Sequence, residues 1–359
     1  MNWKFYLQPE ELWEAMLADF EEAKVSIDCE QYIFNIDDTG RRFIDCLIKK
    51  AKEGVRVRLL LDAMGSCYLF VSLYPKELAA AGIEVAFFNP VSPWRVYNAT
   101  SWFLRDHRKI SVIDSRVGYT GGAAIDSAQR GWRDTNVRVE GMVVKEMEEA
   151  FIRLWEKTKN GRAPKIKRNT TKAIESAVEP LHFLTNAPRF REREVYHYLL
   201  RAIRRAERYV YLTTPYFVPS VRLFAGLIRA AKRRVDVRIL VPEVSDVRTV
   251  DVAAGSYFTI ALKSRVKIFR YKNRVLHAKT SVIDDAQATV GSTNLDNISL
   301  LFNYEGDVWG GAPQFVEEVK SRFLADIKNA EELTLENWSR RPLRRKVLEA
   351  LSWPIHELL

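Results

Sequence analysis

Residues 107–126 read HRKISVIDSRVGYTGGAAID, and residues 277–296 read HAKTSVIDDAQATVGSTNLD. At an offset of 170, eight of the twenty positions are identical: His, Lys, Ser, Val, Ile, Asp, Gly and Asp. A second pair lies upstream in the same order. LIKKAKEGVRVRLLLD (47–62) and LIRAAKRRVDVRILVP (227–242) agree at eight of sixteen positions, at an offset of 180. Two ordered pairs whose offsets differ by only ten residues mark a duplicated half, not a solenoid of many short units.

Each half reads as α/β. LIKKAKEG is a basic helix stopping at Gly54, and VRVRLLLD alternates into an apolar run, as a strand does when it is buried toward its end. VSIDCEQYIF (25–34) and YVYLTTPYFV (209–218) are strands by their β-branched and aromatic content. Repeated helix and strand predict a mostly parallel or mixed sheet covered by helices. KNGRAPKIKRNTTKA (159–173) is polar and basic, with Gly161 and Pro164, and reads as a linker. The expected organisation is a first half at 1–160, a linker at 161–175, a second half at 176–335 and a basic tail at 336–359.

Composition narrows the classes. A chain of 359 residues suits about two domains. Its 47% hydrophobic and 28% charged residues exclude a disordered or collagen-like chain. The net charge of +10 favours an anionic partner: nucleic acid, a phosphorylated metabolite or an anionic lipid surface. Cys29, Cys46 and Cys67 are too few for a disulfide framework and match no zinc spacing, so they read as buried thiols. The longest stretches free of Asp, Glu, Lys and Arg are thirteen residues, 63–75 and 209–221. A membrane-crossing helix needs ~20 apolar residues. Acidic residues near the N-terminus stand where a secretory signal needs an apolar core, so a cytosolic location is expected.

The repeated motif carries the chemistry. On a strand, alternate side chains share a face, which pairs His107 with Lys109 and His277 with Lys279. Asp114 and Asp284 fall at odd spacing and are expected on the other face, anchoring the strand. Pseudo-two-fold packing can bring both pairs into one cleft, a set that suits a phosphodiester. Lysines offset charge that develops at phosphorus. One neutral imidazole can attack, and a protonated one can donate to the leaving alkoxide. Asp134 follows His107 by 27 residues and Glu305 follows His277 by 28; each is a candidate orienting partner for an imidazole Nδ1–H. Gly121, Gly122, Gly291 and Ser292 would let backbone amides approach an anionic oxygen, and Asn294 adds a side-chain donor. No cluster has metal-ligand spacing, so neither a metal nor another cofactor is expected.

HxKx4Dx6GG and HxKx4Dx6GSxN, twice in one chain, resemble the phospholipase D superfamily. EQYIF, GRRF, GVRVRLLLDAMGS, RDHRK, WRDTNVRVEG, TTPYFVP, LHAK and GSTNLD fall in the order seen in bacterial cardiolipin synthases of the phospholipase D type. The resemblance covers roughly residues 10–330. It implies two tandem phospholipase D-like α/β/α sandwich halves related by pseudo-two-fold symmetry, with the active site at their interface. It further implies metal-free catalysis by His107, Lys109 and Asp114 from the first motif and His277, Lys279 and Asp284 from the second. The first-half histidine is then the nucleophile and His277 the acid/base. Tyr32 and Tyr216 occupy similar points in the two halves and would line the cleft. Three departures stand out. Ala124 replaces the Asn that corresponds to Asn294, Gln31 replaces an aromatic, and the family's N-terminal membrane segments are missing, so membrane contact is expected to be peripheral.

The implied activity is a phosphatidyltransferase that joins two phosphatidylglycerols through a phosphohistidine, at the cytoplasmic side of the cell membrane. Two features could reach lipid: the tail SRRPLRRKVLEALSWPIHELL, and VSPWRVYNATSWF (91–103) with Trp94, Tyr97, Trp102 and Phe103. The alternatives are a phospholipase D-type hydrolase or nuclease, and a silent scaffold that binds lipid or nucleic acid. No zinc-finger or RNP module supports nucleic acid.

Overall fold

In the computed structural model, residues 2–90, 104–161 and 180–352 are described, with side chains as far as residue 349. The aromatic segment 91–103, most of the expected linker and Trp353, Ile355 and His356 lie outside the described residues. Among the described residues, no helix is long and apolar enough to cross a membrane.

The first half supplies β1 (Trp3–Tyr6), β2 (Ser26–Gln31), β3 (Arg56–Asp62), β4 (Glu84–Phe88), β5 (Ile110–Ile113), β6 (Val117–Gly121) and β7 (Asn136–Glu140). They form one sheet in the order β1-β7-β6-β5-β2-β3-β4. The second half supplies β8 (Leu181–Asn186), β9 (Tyr209–Thr213), β10 (Phe217–Val218), β11 (Asp236–Pro242), β12 (Lys267–Tyr271), β13 (Thr280–Ile283), β14 (Gln287–Gly291), β15 (Leu295–Asp296), β16 (Glu305–Gly310) and β17 (Ala330–Leu333). The second sheet runs β17-β12-β11-β9-β13-β14-β16-β8. Leaving out the edge strand β17, its order repeats that of the first sheet strand for strand. In both sheets the crossover strands (β2, β3, β4 and β9, β11, β12) pair in parallel and the remainder antiparallel. The mixed α/β class and the duplication are therefore as the sequence implies.

Helices cover the sheets because their apolar residues recur on one face. Pro9–Glu22 buries Leu12, Trp13, Met16, Leu17 and Phe20, and Asp38–Lys52 buries Phe43, Ile44, Cys46 and Leu47. Asp37 caps the second of these by accepting from Gly40 N, and Gly54, at φ +89°, follows its end. Cys29 and Cys46 are buried, but Cys67 is exposed, against the expectation of three buried thiols.

The two halves are not independent beads. One continuous apolar core takes Val112, Val137, Val139 and Met147 from the first and Val282, Val290, Val308 and Phe315 from the second. Trp3 meets Phe315 edge-on, with ring centroids 5.6 Å apart, and its Nε1 donates to Glu318 at 3.0 Å. Arg133 forms a buried two-pronged ion pair with Asp326 across the same boundary.

The motif segments differ locally from the sequence reading. His107 and His277 lie just before β5 and β13, not on them, in short extended stretches bridged to the other half. The His107 amide donates to Tyr304 O (3.0 Å) and the His277 amide to Arg133 O (2.8 Å). Asp114 and Asp284 sit in the tight turns that follow β5 and β13, with φ of +51° and +57°. Asp114 accepts from the amides of Lys24, Val25 and Ser26; Asp284 accepts from those of Glu207, Arg208 and Tyr209. Each carboxylate thus pins the start of the neighbouring strand, β2 or β9. Carboxylate–amide bonds of this kind are worth ~1.5–3 kcal/mol each when shielded and less when part-exposed. Asp284→Ala is expected to lower unfolding free energy by about 2 kcal/mol, read as a drop in denaturant midpoint. An unchanged midpoint would show that these bonds do not hold the start of β9 in place.

Candidate active site

The bridges that join the halves place the histidines. Because His107 N is held by Tyr304 O, its ring lies against the next residue, Glu305; Nδ1 is 2.9 and 3.1 Å from the two carboxylate oxygens. Because His277 N is held by Arg133 O, its ring lies against Asp134, with Nδ1 2.9 Å from Oδ2. The carboxylates thus cross over: each half orients the other half's histidine. With Nδ1–H donating to a carboxylate, each Nε2 is left for chemistry.

The lysines complete the set. Lys109 Nζ donates to His107 O at 2.8 Å. Lys279 Nζ donates to His277 O at 2.6 Å and also lies 2.8 Å from His277 Nε2. All four side chains are buried or nearly so, and Asp134 and Glu305 are fully buried. Burial, then Lys109, Lys279 and His277, hold His107 well below the ordinary imidazole range. His277 is also lowered, by burial and Lys279, but Asp134 pulls it back. Burial brings Lys109 down to about 8 and Lys279 to about 7, against the pull of nearby carboxylates. Burial likewise lifts Glu305 to about 7, opposed first by Lys109. The histidines and lysines are therefore short of protons, and an incoming anion will draw protons to them.

Small residues in the motifs make room for neighbouring side chains. A Cβ on Gly122 would lie 2.4 Å from Asp134 Oδ1, so glycine makes room for that carboxylate. A Cβ on Gly121 would lie 2.2 Å from Asn136 Oδ1, and one on Gly291 2.1 Å from Asp307 Oδ1. Ser292 stands where Gly122 does in the other half, and its hydroxyl donates to Glu305 Oε2. Gly122 and Gly291 thus make room for a carboxylate, and Gly121 makes room for the Asn136 amide. Asn294 is 3% exposed, and its Oδ1 is a buried acceptor without a hydrogen-bond partner. Ala124 has no such group; its carbonyl accepts from Trp13 Nε1.

Tyr32 meets His107 edge-on at 4.8 Å, and Lys109 Nζ lies 5.4 Å from its ring centre. Burial and then Asp62 push its phenol up to about 12. Tyr216 donates to Asp246 at 2.8 Å. Two neighbours were missed from the sequence. Trp132 packs edge-on against His277 at 5.3 Å, and Asp246 acts electrostatically on His277 and Lys279. Trp132 stands two residues before Asp134, a signal that could have been read; Asp246 has no counterpart motif. Asp114 and Asp284 do not join the cluster, since every hydrogen bond their carboxylates make described above goes to a backbone amide. Among the described residues, no group of His, Cys, Asp and Glu could hold a metal ion.

Two buried histidine–carboxylate pairs and two lysines across a duplicated α/β interface define a phospholipase D-like enzyme, and comparison with known proteins narrows the class. The family model described as cardiolipin synthase, PLD-like domain, matches residues 16–155 and 199–327. Cardiolipin synthase 1 of Bacillus anthracis is 31% identical over 371 residues, which span 99% of this chain and 72% of that protein. The cardiolipin synthase of Geobacillus kaustophilus is 32% identical over 364 residues, 98% of this chain and 71% of that one. Phosphatidylserine synthase of Haemophilus influenzae Rd KW20 shares the fold, with a TM-score of 0.76 at 12% identity, over 99% of this chain and 93% of its own. The chain belongs to the cardiolipin synthase family of phospholipase D-like proteins, a family of phosphatidyltransferases.

Anion binding raises the pKa of nearby cationic and acidic groups. At pH 8, Lys279, at about 7, is mostly neutral and Lys109, at about 8, is half so. Binding of a soluble phosphodiester at pH 8 is therefore expected to take up protons. Titration calorimetry in buffers of different ionisation enthalpy reads this directly; proton release would contradict the depressed lysines.

Proposed function

We propose that the protein makes cardiolipin by transferring a phosphatidyl group between two phosphatidylglycerols. The observation that carries this is the crossed pair of histidine–carboxylate couples with both lysines beside them. His107, the more strongly held in its neutral form, is the nucleophile: Nε2 attacks phosphorus while Glu305 receives the Nδ1 proton as a hydrogen bond. The bond from phosphorus to the glycerol oxygen breaks, and His277 Nε2 gives that oxygen its proton. The substrate anion raises His277 into its protonated form, and Lys279, at 2.8 Å, is positioned to supply the proton. Neutral His277 then takes the proton from a hydroxyl of the second phosphatidylglycerol, whose oxygen attacks phosphorus and expels His107. Lys109, Lys279 and Asn294 hold the phosphate oxygens through both steps. Asp134 and Glu305 orient the rings, and Tyr32 and Tyr216 line the cleft.

The same reading places the protein at the cytoplasmic face of the membrane as a peripheral enzyme, and surface chemistry supports it. The loop after β3 touches the site: Ser66 Oγ donates to Tyr32 O, and Tyr68 and Val71 beyond it are 71% and 78% exposed. The equivalent loop after β11 carries Asp246, bonded to Tyr216, between exposed Val244 and Val247. Asp251 accepts from Ser245 N in that loop and feels the charge of Arg345. Arg345 belongs to the basic helix Leu343–Ser352, which exposes Leu343, Val347 and Leu348. Exposed apolar side chains on the loops beside the site, with a basic helix near one of them, suit an anionic bilayer: headgroups enter while acyl chains stay in lipid.

Purified protein with phosphatidylglycerol vesicles and EDTA is expected to yield cardiolipin and glycerol. Phosphatidic acid alone would make it a hydrolase. His107→Ala and His277→Ala are each expected to cut turnover by on the order of a thousandfold. Strong activity in either would overturn the two-histidine mechanism. Val71→Glu with Leu73→Glu is expected to weaken cosedimentation with these vesicles about tenfold while sparing turnover of a dispersed short-chain substrate. Equal loss in both assays would remove the rim from membrane binding.

A further inference from the structure

Behind the His107 half-site lies a second cationic recess. It is a cavity of about 570 Å³ between the helix Met142–Asn160 of the first half and the segment Thr185–Glu192 of the second. Arg108, Arg153, Lys157 and Arg189 line it, with Glu192 as the one acidic side chain and Tyr304 on its wall. Arg108 is 3% exposed; its Nε lies within ion-pair distance of Glu30 and Asp106, and neither Nε nor Nη2 has a hydrogen-bond partner. A buried guanidinium nitrogen left unpaired on the wall of a cationic cavity is costly unless an anion completes it. Arg153 is only loosely tied to Glu192, at 3.9 Å, and Arg189 is exposed. Lys157 donates to the Tyr304 hydroxyl and sits 4.9 Å from its ring centre.

We infer that this recess is a second anion site, distinct from the cleft, that takes a phosphate ester. The cavity leaves room for an organic group beside the phosphate. Guanidinium groups suit phosphate because their paired N–H donors match its oxygens. The site is built from both halves, so an occupant ties them together. It also has a path to the chemistry. Arg108 is the residue after His107, Tyr304 O holds the His107 amide, and Tyr304 precedes the orienting Glu305. An anion that recruits Arg108 and Lys157 pulls on both chains that place the nucleophile. The phosphate ester has two possible sources, a soluble glycerophosphate or the headgroup of a bilayer lipid.

The test is binding, so it does not depend on which reaction the cleft performs. The full chain carrying Lys109→Met and Lys279→Met, which cripples the cleft, is titrated calorimetrically with glycerol 3-phosphate. One site is expected to remain, and Arg189→Ala or Lys157→Met added to that background is expected to weaken it about tenfold or more. Arg189 is exposed, so its replacement leaves the fold intact, and thermal melts of each variant check this. Phosphatidylglycerol vesicles, with phosphatidylcholine vesicles as control, form the second arm. Arg189-dependent binding to the anionic vesicles that glycerol 3-phosphate displaces identifies a lipid headgroup. Glycerol 3-phosphate binding untouched by vesicles identifies a free ester. No binding in either arm, or affinity indifferent to both Arg189 and Lys157, overturns the site.

Discussion

The exchange of carboxylates between the halves governs the molecule. Neither half owns a complete catalytic couple: Glu305 orients His107 and Asp134 orients His277. A fully buried carboxylate without a cationic or hydrogen-bonded partner is expensive, so each half also needs the other to satisfy its own acid. The same two segments that carry the acids supply the carbonyls that hold the histidine amides. Docking and site assembly are therefore one event. The shared core around Phe315 and the Arg133–Asp326 ion pair, one residue from Asp134, provide the affinity that makes this event favourable.

This explains which parts of the structure could be read from the chain. The duplicated α/β organisation was legible because LIKKAKEGVRVRLLLD and its partner carry the helix-then-strand pattern twice, and duplicated sequence folds into duplicated topology. The residues of the two couples were legible because HxK recurs with an acid 27 or 28 positions on. Their pairing was not. Sequence spacing is silent on whether a carboxylate serves its own half or the other, since that depends on how two surfaces dock. The strand assignment of His107 and His277 failed for the same reason: their extended backbone is satisfied by the opposite half, not by a neighbouring strand of their own sheet. Spacing was equally silent on the carboxylates that pack beside Gly122 and Ser292, since those seats form only in the folded sheet.

Those two residues also show how a symmetric duplication becomes a directional site. In the first half the short acid Asp134 packs against Gly122, and in the second the longer Glu305 takes a hydrogen bond from Ser292. On the lysine side, Lys279 reaches its histidine's Nε2, while the bond Lys109 makes is to its histidine's carbonyl. One histidine thus rests with a proton donor against its reactive nitrogen and the other does not. A reaction that breaks one ester bond and makes another needs this inequality, because two imidazoles in the same protonation state would compete for one role. Ala124 extends it: the first half has no side-chain amide at the position that Asn294 fills in the second. The half-sites thus differ in their side chains while the backbone that seats them is matched strand for strand.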